Sequence, residues 1–154
     1  MGDKLLKYLL CEDECFLDDS IKGTSDFVKH FTSLGPRDSK GRSLRDFDLK
    51  REMFRYPCSY LIYSDTINQL PKPLLNYVEW RLIRILKNEK TRTDFVHLSK
   101  EDRLAILEIL SETKPSFREK MNRFEQNIHM FQYGNDSDTA ELIRIHEDQD
   151  NLKY

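Results

Sequence analysis

Apolar residues recur along this chain with helical rather than alternating spacing. Leu5, Leu6, Leu9 and Leu10 stand at i, i+1, i+4 and i+5, and Phe27, Val28, Phe31 and Leu34 form a second stripe behind the capping run Thr24-Ser25-Asp26. Two short opening helices are predicted, separated by a turn at Asp18-Asp19 and Gly23, with Gly35-Pro36 ending the second. After a polar loop, Ser43 and Asp46 predict a short capped helix through Leu44, Phe47 and Leu49. Tyr56-Pro57 marks a boundary, because a residue before proline is pushed out of helical dihedrals. Tyr60-Leu61-Ile62-Tyr63 suits a short strand or the start of a helix reaching Leu70, and helix is preferred. Pro73 fits the first turn of the strongest helix, which runs to Lys87 on Leu74, Leu75, Val78, Leu82, Ile83 and Leu86. Ser99 and Asp102 resemble a capping box for a helix carrying Leu104, Ala105, Leu107 and Leu110 up to Pro115. A last amphipathic helix carries Phe117, Met121, Phe124, Ile128 and Phe131 and stops at Gly134-Asn135-Asp136. Leu142, Ile143 and Ile145 then mark a short frayed helix or a disordered acidic tail. The expected fold is mainly α, a small irregular multi-helix domain over residues 4–115 with one long basic loop, followed by a C-terminal helix and acidic tail over 116–154.

Composition adds that the domain is thin and heavily solvated. Its 154 residues suit one domain, and 34% are charged against 38% hydrophobic, compared with roughly 25% and 45–50% in ordinary globular chains. A net charge of -2 excludes a strongly basic nucleic-acid binder. That total conceals an uneven distribution. Residues 1–20 carry two Lys against six acids, residues 134–154 one Arg and one Lys against six acids, and the centre 21 basic against 15 acidic residues. A basic centre between acidic ends sharpens the expectation of an anion-binding surface, and the acidic ends folding back onto it are its rival. Apolar runs fall far short of the ~20 residues that span a bilayer, so no membrane span is expected. No signal peptide is evident, and Leu6 occupies the position where myristoylation favours Ser or Thr. Three cysteines cannot complete a disulfide framework, which makes a reducing, cytoplasmic setting the default.

Local catalytic signatures are lacking. Cys11 and Cys15 bracket Glu12-Asp13-Glu14 on one expected helical face, but no second ligand pair accompanies them, and neighbouring carboxylates raise thiol pKa values. Cys58 reads as a buried, inert thiol. The histidines His30, His97, His129 and His146 are dispersed, and no nucleophile elbow, phosphate loop, dinucleotide fingerprint or H-E-x-x-H is present. No cofactor or metal is expected. The informative stretch is residues 37–60. It sets Arg37, Lys40, Arg42, Arg45, Lys50, Arg51 and Arg55 against Asp38, Asp46, Asp48 and Glu52, and ends in the aromatic run Phe54-Arg55-Tyr56-Pro57-Cys58-Ser59-Tyr60. Arginine forks bind carboxylates or phosphates, and aromatic faces stack, so Arg37, Arg42, Arg45, Asp46, Asp48, Arg51, Arg55, Tyr56 and Tyr60 are the candidate binding residues. The competing reading makes the interleaved acids the partners, pairing Arg42, Arg45 and Arg51 with Asp46, Asp48 and Glu52 to pin the loop. Trp80-Arg81, Arg84 and Lys87 form a second basic strip, expected to be a solvent face.

The run from Gly35 to Leu49, GPRDSKGRSLRDFDL, followed by Phe54 to Ser64, FRYPCSYLIYS, resembles the C-terminal region of larger, uncharacterised exported bacterial proteins, some associated with c-type cytochrome domains. Leu98-Ser99, Asp102-Arg103, residues 105–110 and Thr113-Lys114-Pro115 fit the same region, so the likeness covers about residues 4–115. It implies a module of a larger assembly rather than a complete enzyme, and a periplasmic setting if the chain is a fragment of an exported protein. Haem binding does not carry over, because C-x-x-C-H is absent. Residues 116–154 depart from the pattern, which with the missing export signal implies a stand-alone or truncated relative. The expected function is a helical interaction or accessory module contacting an unknown protein partner or anionic ligand through residues 37–60. The alternative is a hydrolase or redox enzyme in which Arg42, Asp46, Asp48, Cys58 and a histidine converge in one cleft.

Overall fold

Apolar helical faces build most of the core. The structure, a computed structural model, describes residues 2–12, 25–50, 52–87 and 95–133, with side chains placed to residue 126 in the last segment. The chain is mainly helical, and among the described residues no strand forms. It divides into two units, Met1–Arg118 and Glu119–Tyr154.

In the first unit, α1 (Gly2–Leu9) buries Leu6 and Leu9 and is followed by buried Leu10. It packs on α4 (Lys72–Leu86), where the Tyr77 hydroxyl donates to Asp3 Oδ1 at 2.8 Å. Just past the end of α1, Cys11 adopts φ 55° while Glu12 N–H reaches the Lys7 carbonyl at 3.0 Å and Cys11 N–H the Tyr8 carbonyl at 3.3 Å. This is a left-handed helix terminator. Cys15 lies outside the described residues, as does the predicted turn at 18–23.

Helix α2 (Ser25–Ser33) leads into the long loop. Tyr60–Tyr63 forms a 3-10 turn and α3 spans Asp65–Asn68, so the single helix expected up to Leu70 is broken in two. Ser64 explains the break. Its extended backbone ends one element, and its hydroxyl accepts from Ile67 N–H at 3.4 Å to start the next. Pro73 sits in the first turn of α4, which buries Val78, Leu82, Ile83, Ile85 and Leu86. The expected cap of α5 (Lys100–Thr113) is present, with Ser99 Oγ accepting from Asp102 N–H at 3.0 Å. Its buried stripe is Ile106, Ile109 and Leu110, while Leu104, expected on that stripe, is exposed. Helix α6 (Pro115–Tyr133) begins with fully buried Phe117. Trp80, Arg81, Arg84 and Lys87, expected on a solvent face, are half-buried.

Two polar devices brace this core. Arg103 donates to the carbonyls of Leu98 (3.2 Å), Phe95 (2.7 Å) and Ile85, gripping the C-terminal end of α4. Glu79 and Lys114 are buried 3.7 Å apart, with Ser116 Oγ donating to Glu79 and Lys114 Nζ to Asn68 Oδ1, each at 2.8 Å. In the second unit, the described part is the continuation of α6, carrying an exposed Arg123–Glu119 pair at 2.7 Å. The expectations at Gly134-Asn135-Asp136 and in the acidic tail lie outside the described residues.

Candidate functional site

The helix expected from Ser43 to Leu49 begins and then stops. Asp46 N–H reaches the Ser43 carbonyl at 3.1 Å, and the Asp46 carboxylate accepts from Ser43 N–H at 2.9 Å, which is one reciprocal capping turn. At Phe47 the chain instead extends into an isolated antiparallel bridge with Phe54, flanked by Arg55 N–H to Asp46 carbonyl at 2.8 Å and Leu49 N–H to Glu52 carbonyl at 2.9 Å. Leu49 turns at φ 56°. Stacking of Phe47 on Phe54, with centroids 5.3 Å apart, overrides the local helical pattern.

The preceding turn, residues 38–42, is clamped to α5. Gly41 at φ 75° makes the turn, and the buried Asp38 carboxylate accepts from Arg42 Nε at 2.8 Å, Arg42 N–H at 2.8 Å and Lys40 N–H at 3.1 Å. Arg42 Nη2 also lies 2.5 Å from Glu108 Oε2, which Lys40 Nζ reaches at 2.8 Å. One helical turn on, Glu112 accepts from Ser39 N–H at 2.6 Å and from Ser39 Oγ at 2.9 Å. Burial pushes the Asp38 carboxyl up, but hydrogen bonds and charge from Arg42 outweigh it and hold the group below its ordinary pKa. Hydrogen bonds from Lys40 and Arg42 hold Glu108 low as well. Arg37 spans the loop from outside, donating to the Gly41 carbonyl at 2.6 Å and Asp46 Oδ1 at 2.9 Å.

A second arrangement is aromatic. Phe31 lies 5.0 Å from Phe47 and 5.2 Å, edge-on, from Tyr60; Phe27 is 5.9 Å from Phe31, and Phe54 closes the group against Phe47. Arg45 rests on this shelf, its guanidinium carbon 4.3 Å from the Tyr60 centroid and 4.7 Å from that of Phe31. Phe27 of this shelf is 59% exposed, and Leu34 and Met53, the chain neighbours of Gly35 and Phe54, are 58% and 46% exposed. Arg55 lies 5.4 Å over the ring of buried Tyr56. Close by is an open depression of about 410 Å3, lined by Asp48, Lys50, Glu52, Phe54, Arg55 and Asp102.

The nine candidate residues therefore separate. Arg37 and Asp46 pair with each other, Arg42 is held by Asp38 and Glu108, Arg45 and Tyr60 stack, Arg55 stacks on Tyr56, and Asp48 lines the depression. Arg51 lies outside the described residues. The pairing expected between Arg42 and its loop neighbours is corrected: Arg42 pairs with Asp38, before it in the loop, and with Glu108, 66 residues later. Sequence reasoning left out Phe27, Phe31, Phe47, Met53 and Glu108. The four-residue spacing of Phe27 and Phe31, repeated as an aromatic theme at Phe47 and Phe54, was the available signal.

Cys58 is buried, and burial pushes its thiol well above the ordinary range, away from the thiolate. His97 Nε2 donates to the Leu10 carbonyl at 2.8 Å, and His30 is exposed on α2. Neither Arg42, Asp46, Cys58 nor a histidine lines the depression that holds Asp48. Among the described residues no group of three or more His, Cys, Asp and Glu side chains is arranged to hold a metal ion, and no helix is long and apolar enough to cross a membrane. A scan against protein-family models and searches of curated proteins and of solved structures find no match to this chain.

Proposed function

We propose that this chain is a helical interaction or accessory module whose contact surface is the aromatic shelf of Phe27, Phe31, Phe47, Phe54 and Tyr60 with Arg45. The observation that carries the reading is the exposure of Phe27 within that shelf, together with exposed Leu34 and Met53, which adjoin Gly35 and Phe54 in the chain. Protein interfaces are enriched in aromatic residues, Met and Arg, and contiguous apolar patches on a surface mark sites of contact. The clamp of residues 38–42 on α5 supports the same reading, since it fixes one end of the loop and so limits the ordering entropy lost on binding. The resemblance of residues 4–115 to a region of larger exported bacterial proteins fits a module better than a complete enzyme.

The test is selection of a displayed random-peptide library on the full chain. Enriched peptides are expected to lose binding on Phe27→Ser/Met53→Ser and to keep it on Val96→Ser, a control at a side chain that is 83% exposed. No enrichment above background, or full retention on the shelf variant, overturns the reading.

A further inference from the structure

We infer that the shelf recognises a carboxylate carried beside apolar side chains, that is, an acidic–apolar segment of a partner protein, with Arg45 as the anion donor. This inference rests on the interaction reading above and names its partner chemistry. It starts from the difference between Arg45 and its neighbours. Arg37 and Arg42 spend their guanidinium donors on Asp46, Asp38 and Glu108. Arg45 does not: among the described residues, no acceptor takes a hydrogen bond from its guanidinium and no carboxylate pairs with it, although its carbon sits 4.3 Å and 4.7 Å from two ring centroids. A ring attracts a cation through its π face but offers no lone pairs to the five N–H donors of a guanidinium, as a carboxylate's two oxygens do. Stacking therefore positions this cation without neutralising it.

Its stem is held as well. A Cβ built on Gly35 would fall 2.8 Å from Arg45 Cδ and 3.2 Å from Cγ, so the side chain is clasped between the Gly35 backbone and the shelf. An arginine already fixed loses little rotamer freedom when it captures a carboxylate, and its planar fork matches the two oxygens. Charge sets the sign of the occupant. Residues 25–60 hold eight basic against five acidic side chains, and two of those acids, Asp38 and Asp46, are bound by Arg42 and Arg37. Exposed apolar side chains set the remainder: Phe27, Leu34 and Met53 offer contact area that a small free anion leaves unused. Polyanion binding instead needs many unpaired cations, and Arg37 and Arg42 are taken.

The experiment uses the full chain, the enriched peptides as labelled synthetic probes, and fluorescence anisotropy. Enriched sequences are expected to place Asp or Glu next to an aliphatic or aromatic residue. Affinity for Arg45→Met, which keeps a long apolar stem on the rings, is expected to fall roughly ten- to hundredfold, the range for a lost charge-assisted contact, and Arg45→Lys to recover part of it. Peptides with Asp→Asn or Glu→Gln are expected to lose a similar factor on the unmodified chain, which reads the contact even if the Arg45 variant fails to fold. Peptides that bind the shelf without a carboxylate, or equally well on folded Arg45→Met, overturn the carboxylate inference and leave the interaction reading standing. Absence of any enriched peptide overturns both. Self-association that competes with peptide and is lost in Arg45→Met makes a second copy the occupant and overturns the partner assignment.

Discussion

Arg42→Met removes the centre of the loop clamp while preserving the length of the side chain. In the native protein Arg42 is bound to Asp38 through Nε at 2.8 Å and Nη2 at 2.6 Å, and to Glu108 at 2.5 Å. The Asp38 side chain is fully buried, so the variant leaves a carboxylate out of water with only the N–H groups of Lys40 and Arg42 as donors. Removing one partner of a buried pair costs about 3–5 kcal/mol. The two remaining backbone donors and the retained Lys40–Glu108 contact place this case near the lower end, about 3 kcal/mol. With a urea slope of about 2 kcal/mol per molar, the unfolding midpoint is expected to drop by about 1.5 M. Circular dichroism at 222 nm across a urea series measures it. Asp38→Asn/Arg42→Met is expected to recover a large part of the loss, because it removes the stranded charge. A midpoint within about 0.3 M of the unmodified chain would refute the clamp, since that is the scale of an exposed pair.

Three further outcomes follow from the same geometry. Lys114→Met takes the cation from beside buried Glu79, which keeps Ser116 Oγ as a donor, and is expected to cost about 3 kcal/mol, the lower end for a buried pair, by urea unfolding, with Glu79→Gln/Lys114→Met recovering part of it. Asp38 and Glu108 have folded-state pKa values below their unfolded ones. Their stabilisation is therefore complete above roughly pH 5 and is lost as pH falls through the folded values, so the urea midpoint is expected to fall below about pH 4, and less steeply in Glu108→Gln. Cys58 is expected to resist maleimide in the folded chain and to react on unfolding in urea, as followed by mass spectrometry of its peptide; rapid labelling without denaturant would contradict its burial.

The helical framework was legible because its signals are local. Leu6 and Leu9 in α1, Val78 and Leu82 in α4, and the Ser99 cap of α5 each follow from residues within a turn or two of one another. The loop was legible only in composition. Ser43 and Asp46 do make the capping turn their spacing implies, yet the helix is abandoned because Phe47 stacks on Phe54 and Phe31, contacts that periodicity does not encode. The same limit applies to charge. Alternating signs between Arg37 and Arg55 indicated internal pairing, but the acid that holds Arg42 to the domain is Glu108 on α5, and nothing near Arg42 in the chain points there. Arg45 looks identical to Arg42 in sequence; its partners are rings from α2 and from the 3-10 turn, which only the fold brings together.

The division between a structural arginine and a recognition arginine is tested most directly by comparing Arg42→Met with Arg45→Met in one measurement series, urea midpoint and affinity for an enriched acidic peptide. Arg42→Met is expected to lose stability but bind normally under conditions where it remains folded. Arg45→Met is expected to keep a midpoint close to that of the unmodified chain and to lose the peptide. Equal losses of stability with unchanged affinity in both variants would contradict the division and return the whole loop to a structural role.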